Sequence, residues 1–249
     1  MKIAVVNTSG NTGKTTVTRH VLEPRMPGVK VFSVGGYEEI PGADIEKVHI
    51  DMQDLDTAIV DMGILSIGNA LSVWKQQPQL LEDFDYFIVP TVPEEKQQND
   101  AISTIKRLAH YGVPPKKIKL VLNMVNADEI RDIPKLFKLL LSFVETEKLC
   151  MLNPGAAVLR SEIFDILFSL NKSVTEVLAD DTDYRGMLRE ATDLGSREYT
   201  LNMLLAKSLA KSVNQNLDDV FQVLFHTEAQ QEPGAAAQAT QTVVAEPQC

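Results

Sequence analysis

The chain is poor in cysteine, with two in 249 residues: Cys150 inside an apolar run and Cys249 at the last position. Two thiols placed so differently make neither a disulfide framework nor a four-ligand zinc site, and they point to a reducing compartment. The four histidines, His20, His49, His110 and His226, share no close spacing. No paired-ligand or Ser/His/Asp pattern emerges from them. Long hydrophobic runs are missing too: none reaches the roughly 18 residues a membrane span needs. Met1-Lys2 leads straight into Ile3-Ala4-Val5-Val6, without the basic leader and longer apolar stretch of a secretion signal. The expectation is a cytoplasmic protein with no membrane span. Positive charge is also scarce, 24 Lys and Arg against 34 Asp and Glu, a net charge of -10. Its overall field repels nucleic acid and anionic lipid, so direct DNA contact would require a local basic patch.

What is present is enough apolar residue, 44% of the chain, to bury one sizeable core. Short runs rich in Val and Ile recur at Ile3–Val6, Val29–Val34, Thr57–Val60, Tyr86–Val89, Ile118–Leu122 and Lys148–Leu152. Runs apolar on both pleat faces are expected of central strands covered by helices. Between them, Thr15–Leu22, Gln98–His110 and Ile130–Val144 carry helical spacing. This alternation predicts a single-domain α/β fold over 1–226, a doubly wound, mainly parallel sheet flanked by helices. From Ala157 to Phe225 the patterning is mostly helical, and Leu201, Leu204, Leu205, Leu209 and Val213 form a stripe expected to pack on the core. A membrane-surface role for that stripe would need a basic polar face, whereas an acidic and then polar stretch follows. Residues 227–249, rich in Ala, Gln, Thr, Glu and Pro without an aromatic residue, are expected to be a disordered tail.

Directly after the first run comes Asn7-Thr8-Ser9-Gly10-Asn11-Thr12-Gly13-Lys14-Thr15-Thr16, followed by a helical pattern. Strand, glycine-containing loop and helix in that order make a phosphate-binding loop. In such a loop the amides of Ser9 to Thr16 turn toward the phosphates, and Lys14 reaches the β and γ groups. Thr15 ligates Mg²⁺ and Thr16 bonds the α-phosphate. The alternative is a helix start capped by glycine and threonine. The full pattern G-x-x-x-x-G-K-S/T asks for glycine where Thr8 stands, so the match is to a variant loop.

Ser9 to Thr16 resembles the phosphate loop of the ParA/MinD family of ATPases, of the form K-G-G-x-G-K-S/T-S/T, with Gly10, Gly13, Lys14, Thr15 and Thr16 matching. Ala58-Ile59-Val60-Asp61-Met62-Gly63 resembles that family's strand ending in the switch aspartate. Phe84-Asp85-Tyr86-Phe87-Ile88-Val89-Pro90-Thr91 resembles its next strand, and Lys119-Leu120-Val121-Leu122-Asn123 the strand whose last Asn meets adenine. The order and spacing match over roughly residues 1–170.

The resemblance implies ATP and Mg²⁺ as cofactors, slow Mg-dependent ATP hydrolysis involving Lys14 and Asp61, and a metal site at Thr15 and Asp61. It further implies a nucleotide-dependent homodimer and a plasmid-encoded DNA-binding adaptor as partner, in plasmid segregation, positioning or conjugation. The γ-phosphate would then order Met62 to Asn69, with Gly63 and Gly68 permitting the movement. Two positions depart from the family. Its signature lysine is Ser9 here, and its D-x-D-P-Q stretch has no counterpart in Phe32 to Glu39, which leaves the water-orienting acid unassigned with Glu38 as the candidate.

Plainer readings stand beside several of these assignments. Asp61 can begin a turn, although a carboxylate at a strand's C-terminal end lies where parallel sheets bind ligands. Asn123 can cap the segment entering Asn126-Ala127-Asp128. Arg185, Arg189, Arg197, Lys207 and Lys211 form either a DNA-facing surface or, interleaved with Asp180, Asp181, Asp183, Glu190, Asp193 and Glu198, a solvated face of mixed charge. Two other functions compete with the ATPase switch: a nucleotide-binding scaffold without turnover, and an ATP-dependent ligase resembling dethiobiotin synthetase.

Overall fold

A computed structural model of the chain describes residues 1–35 and 45–226. The predicted apolar runs become β1 (Lys2–Val5), β2 (Lys30–Val34), β3 (Ala58–Met62), β4 (Tyr86–Thr91) and β5 (Ile118–Val125), joined by β6 (Ala157–Leu159). They form one six-stranded sheet in the order β2-β3-β1-β4-β5-β6, with every pair parallel.

The helices divide between two faces. After β1, α1 (Lys14–Thr16) runs on as a π-wound segment (Val17–Leu22) and a 3₁₀ turn (Glu23–Arg25). The Arg25 guanidinium takes up His20 O and Val21 O there and also reaches Asn214 and Asp218. Then follow α2 (Ile45–Met52), α3 (Ile64–Gln76), α4 (Glu95–His110), α5 (Ile133–Leu136) and α6 (Lys138–Glu147). The chain closes with α7 (Ile163–Leu170), α8 (Val174–Ala179), α9 (Tyr184–Glu190) and α10 (Leu194–Phe225). Ala4, Val60, Phe87 and Leu120 point into one core, under α2 to α6; Ile3, Val5, Ile59, Ile88 and Val121 point into the other, under α1 and α7 to α10. Burial on both faces is why these strands read as continuous apolar runs.

The sixth strand was expected at Lys148–Leu152. That run makes a single bridge, Lys119 to Met151, before Asn153-Pro154-Gly155 turns the chain away, and pairing resumes with Ala157 opposite Leu122. The helix expected over Ile130–Val144 is broken at Phe137, with Pro134 in the first turn of α5. Buried Gln98 mends the break, its Nε2 donating to Leu136 O at 2.9 Å and its Oε1 accepting from Leu140 N at 3.2 Å.

The stripe expected to pack on the core is also misplaced. In α10 the buried face is Thr200, Met203, Ala206, Ala210, Leu217, Val220, Phe221 and Leu224, whereas Leu201 and Leu205 are 51% and 42% exposed. Leu204, Leu209 and Val213 lie at the edge of the core. The contact face mixes the small residues Thr200, Ala206 and Ala210 with Met203, Leu217, Val220, Phe221 and Leu224. Glu38, Cys249 and the expected disordered tail at 227–249 lie outside the described residues. Among those residues, no helix is long and apolar enough to cross a membrane.

Candidate functional site

The chain leaving β1 passes to one face of the sheet, and the chains leaving β3 and β4 pass to the other. Parallel sheets bind ligands in the crevice such a divergence opens, and the loop from Asn7 to Gly13 occupies it.

The loop is held from both sides. Asn7, fully buried, donates from Nδ2 to Pro90 O at 2.8 Å, and its Oδ1 accepts from Ser9 N at 2.8 Å. Thr8 N donates to Thr104 Oγ1 on α4, and Thr8 Oγ1 reaches Asp100 O. Thr8 has no left-handed backbone, so the glycine of the full pattern is not required there. The left-handed turns fall instead at Asn11 (φ 55) and Gly13 (φ 80). Alternation of this kind turns successive amides to one side and makes an anion-binding concavity. No hydrogen bond among the described residues engages the amides of Gly10, Asn11, Thr12 or Gly13.

Asn123 lies within β5, not at its end, beside an irregularity where Met124 takes φ 58. Its Nδ2 donates to Thr12 O at 3.0 Å. A Cβ on Gly13 would stand 1.8 Å from that nitrogen, so the glycine admits the amide that clamps the loop.

Lys14 is buried, and its ammonium donates to Ser9 O at 2.7 Å and Asn7 O at 3.2 Å. Burial holds its pKa below the usual lysine value, and the Asp61 charge opposes that shift. Asp61 sits on β3, its strand pairing with β1 and β2 at Val5 and Ser33, and its Oδ2 accepts from Thr15 Oγ1 at 2.8 Å. Burial raises the Asp61 pKa, against the Thr15 hydrogen bond and the Lys14 charge, and its Oδ1 has no hydrogen-bond partner. A desolvated carboxylate with one oxygen uncommitted next to a threonine hydroxyl is a donor set suited to a hard cation. Lys14, Thr15 and Asp61 thus meet in one place.

The remaining expected residues are placed as follows. Ser9 and Thr12 are buried with hydroxyls that lack a partner, and Asn11 is exposed. Gly10 faces Ile64 at the start of α3. Gly63 precedes α3 with φ -65, and Gly68 lies inside that helix, so neither uses a conformation reserved for glycine. Ile64 and Leu65 beside the loop are 51% and 82% exposed. Of the basic residues considered for DNA, Lys207 donates to Asp180 O and Thr182 O and lies over the Tyr184 ring, while Arg197 reaches Ala191 O.

The sequence reading missed the loop braces Asn7 and Thr104, and it missed a cleft next to the loop's helical end. Thr15, Thr16, Arg19 and His20 form one wall of that cleft; Phe164, Asp165, Phe168 and Lys172 stand opposite. The His20 ring lies 5.4 Å from that of Phe164, its Nδ1 is buried without a partner, and burial with the nearby Arg19 and Arg25 charges pushes its pKa down to about 4. Phe168 is 73% exposed. Asn7 adjoins the motif and was open to notice; nothing in the sequence ties Thr104 or Phe168 to it.

No family model matches the chain, and no curated protein matches its sequence. Among solved structures it is similar to MinD, a cell division protein of Aquifex aeolicus, with 14% identity over 84% of this chain and 95% of that one, TM-score 0.48. It is similar also to McdA of Cyanothece in an ATP complex, with 13% identity over 85% and 96% and a TM-score of 0.47. ParA of pnob8 has 10% identity over 87% and 96%, TM-score 0.49. At these values the likeness carries no functional weight.

Proposed function

We propose that this chain is an ATP-binding, Mg-dependent P-loop switch of the ParA/MinD type that hydrolyses ATP slowly. The observation that carries the reading is the convergence of Lys14, Thr15 and Asp61 beneath a loop whose Gly10, Asn11, Thr12 and Gly13 amides are uncommitted, the Ser9 amide being taken by Asn7 Oδ1. In this reading the loop amides and Lys14 hold the phosphates, Thr16 bonds the α-phosphate, and the base and ribose extend into the cleft between α1 and α7. Thr15 and Asp61 would hold Mg²⁺, which neutralises phosphate charge when bound. Asn123 contributes by holding the loop in shape through its bond to Thr12 O.

The resemblance of residues 1–170 to ParA/MinD proteins, among them the plasmid stabilisation protein StbB, supports a role in plasmid segregation, positioning or conjugation. The natural partners are a second copy of the chain and a plasmid-encoded DNA-binding adaptor, with cytoplasmic localisation. Exposed Ile64 and Leu65 next to Gly10 supply an apolar edge where a partner would sense the nucleotide. They also weigh against a dethiobiotin synthetase-like ligase, which would need basic residues around that segment. Binding without turnover is the second reading, favoured by Ser9 at the signature-lysine position. Steady-state hydrolysis of Mg-ATP, alone and with plasmid DNA and co-encoded proteins, tests the proposal. Turnover that depends on Lys14 and rises with a partner supports the switch; tight ATP binding with no turnover under any condition leaves the scaffold.

A further inference from the structure

Six buried side-chain atoms among the described residues lack a hydrogen-bond partner, and three of them belong to the loop and its neighbour: Ser9 Oγ, Thr12 Oγ1 and Asp61 Oδ1. Leaving a buried hydroxyl unpaired costs about 1–3 kcal/mol, so such a group points to a missing partner. Asp61 Oδ1 has a cation to meet in the proposed function. Ser9 has no such assignment, and it is 2% exposed.

The rest of Ser9 is already committed. Its N–H donates to Asn7 Oδ1, and its carbonyl accepts from Lys14 Nζ at 2.7 Å. Only the hydroxyl is free to act. The position of Nζ also tells which end of a polyphosphate Ser9 would face. Thr16 marks the α-phosphate end at the start of the helix, and the Lys14 side chain reaches back from there to Asn7 O and Ser9 O. Ser9 therefore lies at the far end of the cradle, where the terminal phosphate of a triphosphate would stand.

Resting on the reading of the loop as a nucleotide site, we infer that Ser9 Oγ donates a hydrogen bond to the γ-phosphate, so that a single chain distinguishes nucleoside triphosphate from diphosphate without a residue from a second subunit. A hydroxyl bonded to a phosphate oxygen is a charge-assisted contact, stronger than a neutral one. It forms only when the third phosphate is present. The hydroxyl serves as donor and the phosphate oxygen as acceptor, and no proton is transferred.

The test is calorimetric binding of Mg-ATP (or a non-hydrolysable analogue) and Mg-ADP to the full chain, to Ser9→Ala, to Ser9→Thr and to Lys14→Ala. Ser9→Ala is expected to weaken ATP about tenfold, the effect of one charge-assisted bond, and to leave ADP within about twofold. Ser9→Thr, which keeps the hydroxyl, restores the preference. The preference is also expected to be the same when protein concentration is lowered tenfold. An unchanged ATP-to-ADP ratio in Ser9→Ala, with Lys14→Ala defective for both nucleotides, overturns the inference and leaves the nucleotide site standing. A preference that disappears on dilution overturns it too, by assigning discrimination to a second subunit. Unchanged binding by Lys14→Ala removes the site itself, and the inference with it.

Discussion

Gly13→Ala is the substitution whose outcome is most constrained by the geometry. Gly13 takes φ 80, and an added Cβ would meet Asn123 Nδ2 at 1.8 Å and Cγ at 3.1 Å. The left-handed backbone alone costs a non-glycine residue about 1 kcal/mol. The clash must also expel the Asn123 amide, which is buried and bonded to Thr12 O at 3.0 Å. Losing that bond while leaving its groups unpaired adds about 2 kcal/mol, for a total near 3 kcal/mol. Asn123→Ala alone loses the bond, also about 2 kcal/mol, but opens the space a Cβ needs. The double variant should therefore cost about 3 kcal/mol, where simple addition gives about 5. Equilibrium urea unfolding of the wild type, both single variants and the double variant measures this coupling of about 2 kcal/mol. Strict additivity, or a Gly13→Ala variant as stable as wild type, would refute the clamp between Asn123 and the loop.

Asp61→Asn should raise the melting temperature of the nucleotide-free protein at neutral pH and weaken Mg-ATP binding. Burial raises the Asp61 pKa, so its contribution to stability is intact below the ordinary value of 3.8 and is lost as pH rises through the folded-state value. The gain from Asn should accordingly shrink in acid; a gain independent of pH would contradict it. His20 behaves in the opposite sense: pushed down to about 4 from 6.5, it stabilises the fold fully above pH 6.5, and that stability is lost as pH falls toward about 4. The amount is on the order of 3 kcal/mol, and thermal melts of His20→Leu should show a flatter profile across that window. Phe168→Ala, at an exposed position, should weaken ATP several-fold and leave inorganic tripolyphosphate binding unchanged; equal loss for both ligands would place the nucleoside elsewhere.

Five of six strands were legible as short Val- and Ile-rich runs: β1, β3, β4 and β5 are covered by helices on both faces, and β2, at the sheet edge, keeps Val31, Phe32 and Val34 among Lys30 and Ser33. The sixth was not, because Asn153-Pro154-Gly155 divides the edge contact at Met151 from the three-residue strand at Ala157. The α10 stripe misled for a related reason. Leu201 and Leu205 keep helical spacing on the outward side, and the first half of the contact side includes Thr200, Ala206 and Ala210, which a hydrophobicity pattern underweights. At the site, the residues in one continuous motif and Asp61 at its strand end could be read directly. The brace that holds Thr8 could not, since it depends on Thr104, 96 residues away. Asn123 was expected to meet adenine; its bond to Thr12 O was not legible, because it depends on how β5 lies against the loop.

The central claim, that Ser9 to Thr16 is a nucleotide phosphate site, is tested most directly by titrating Mg-ATP into the wild-type chain and Lys14→Ala. The Lys14 ammonium is the one charge buried within the loop, bonded there only to carbonyls it can exchange for phosphate. Saturable binding to wild type and at least a tenfold loss in Lys14→Ala is the predicted result; equal affinity for the two proteins would contradict the account.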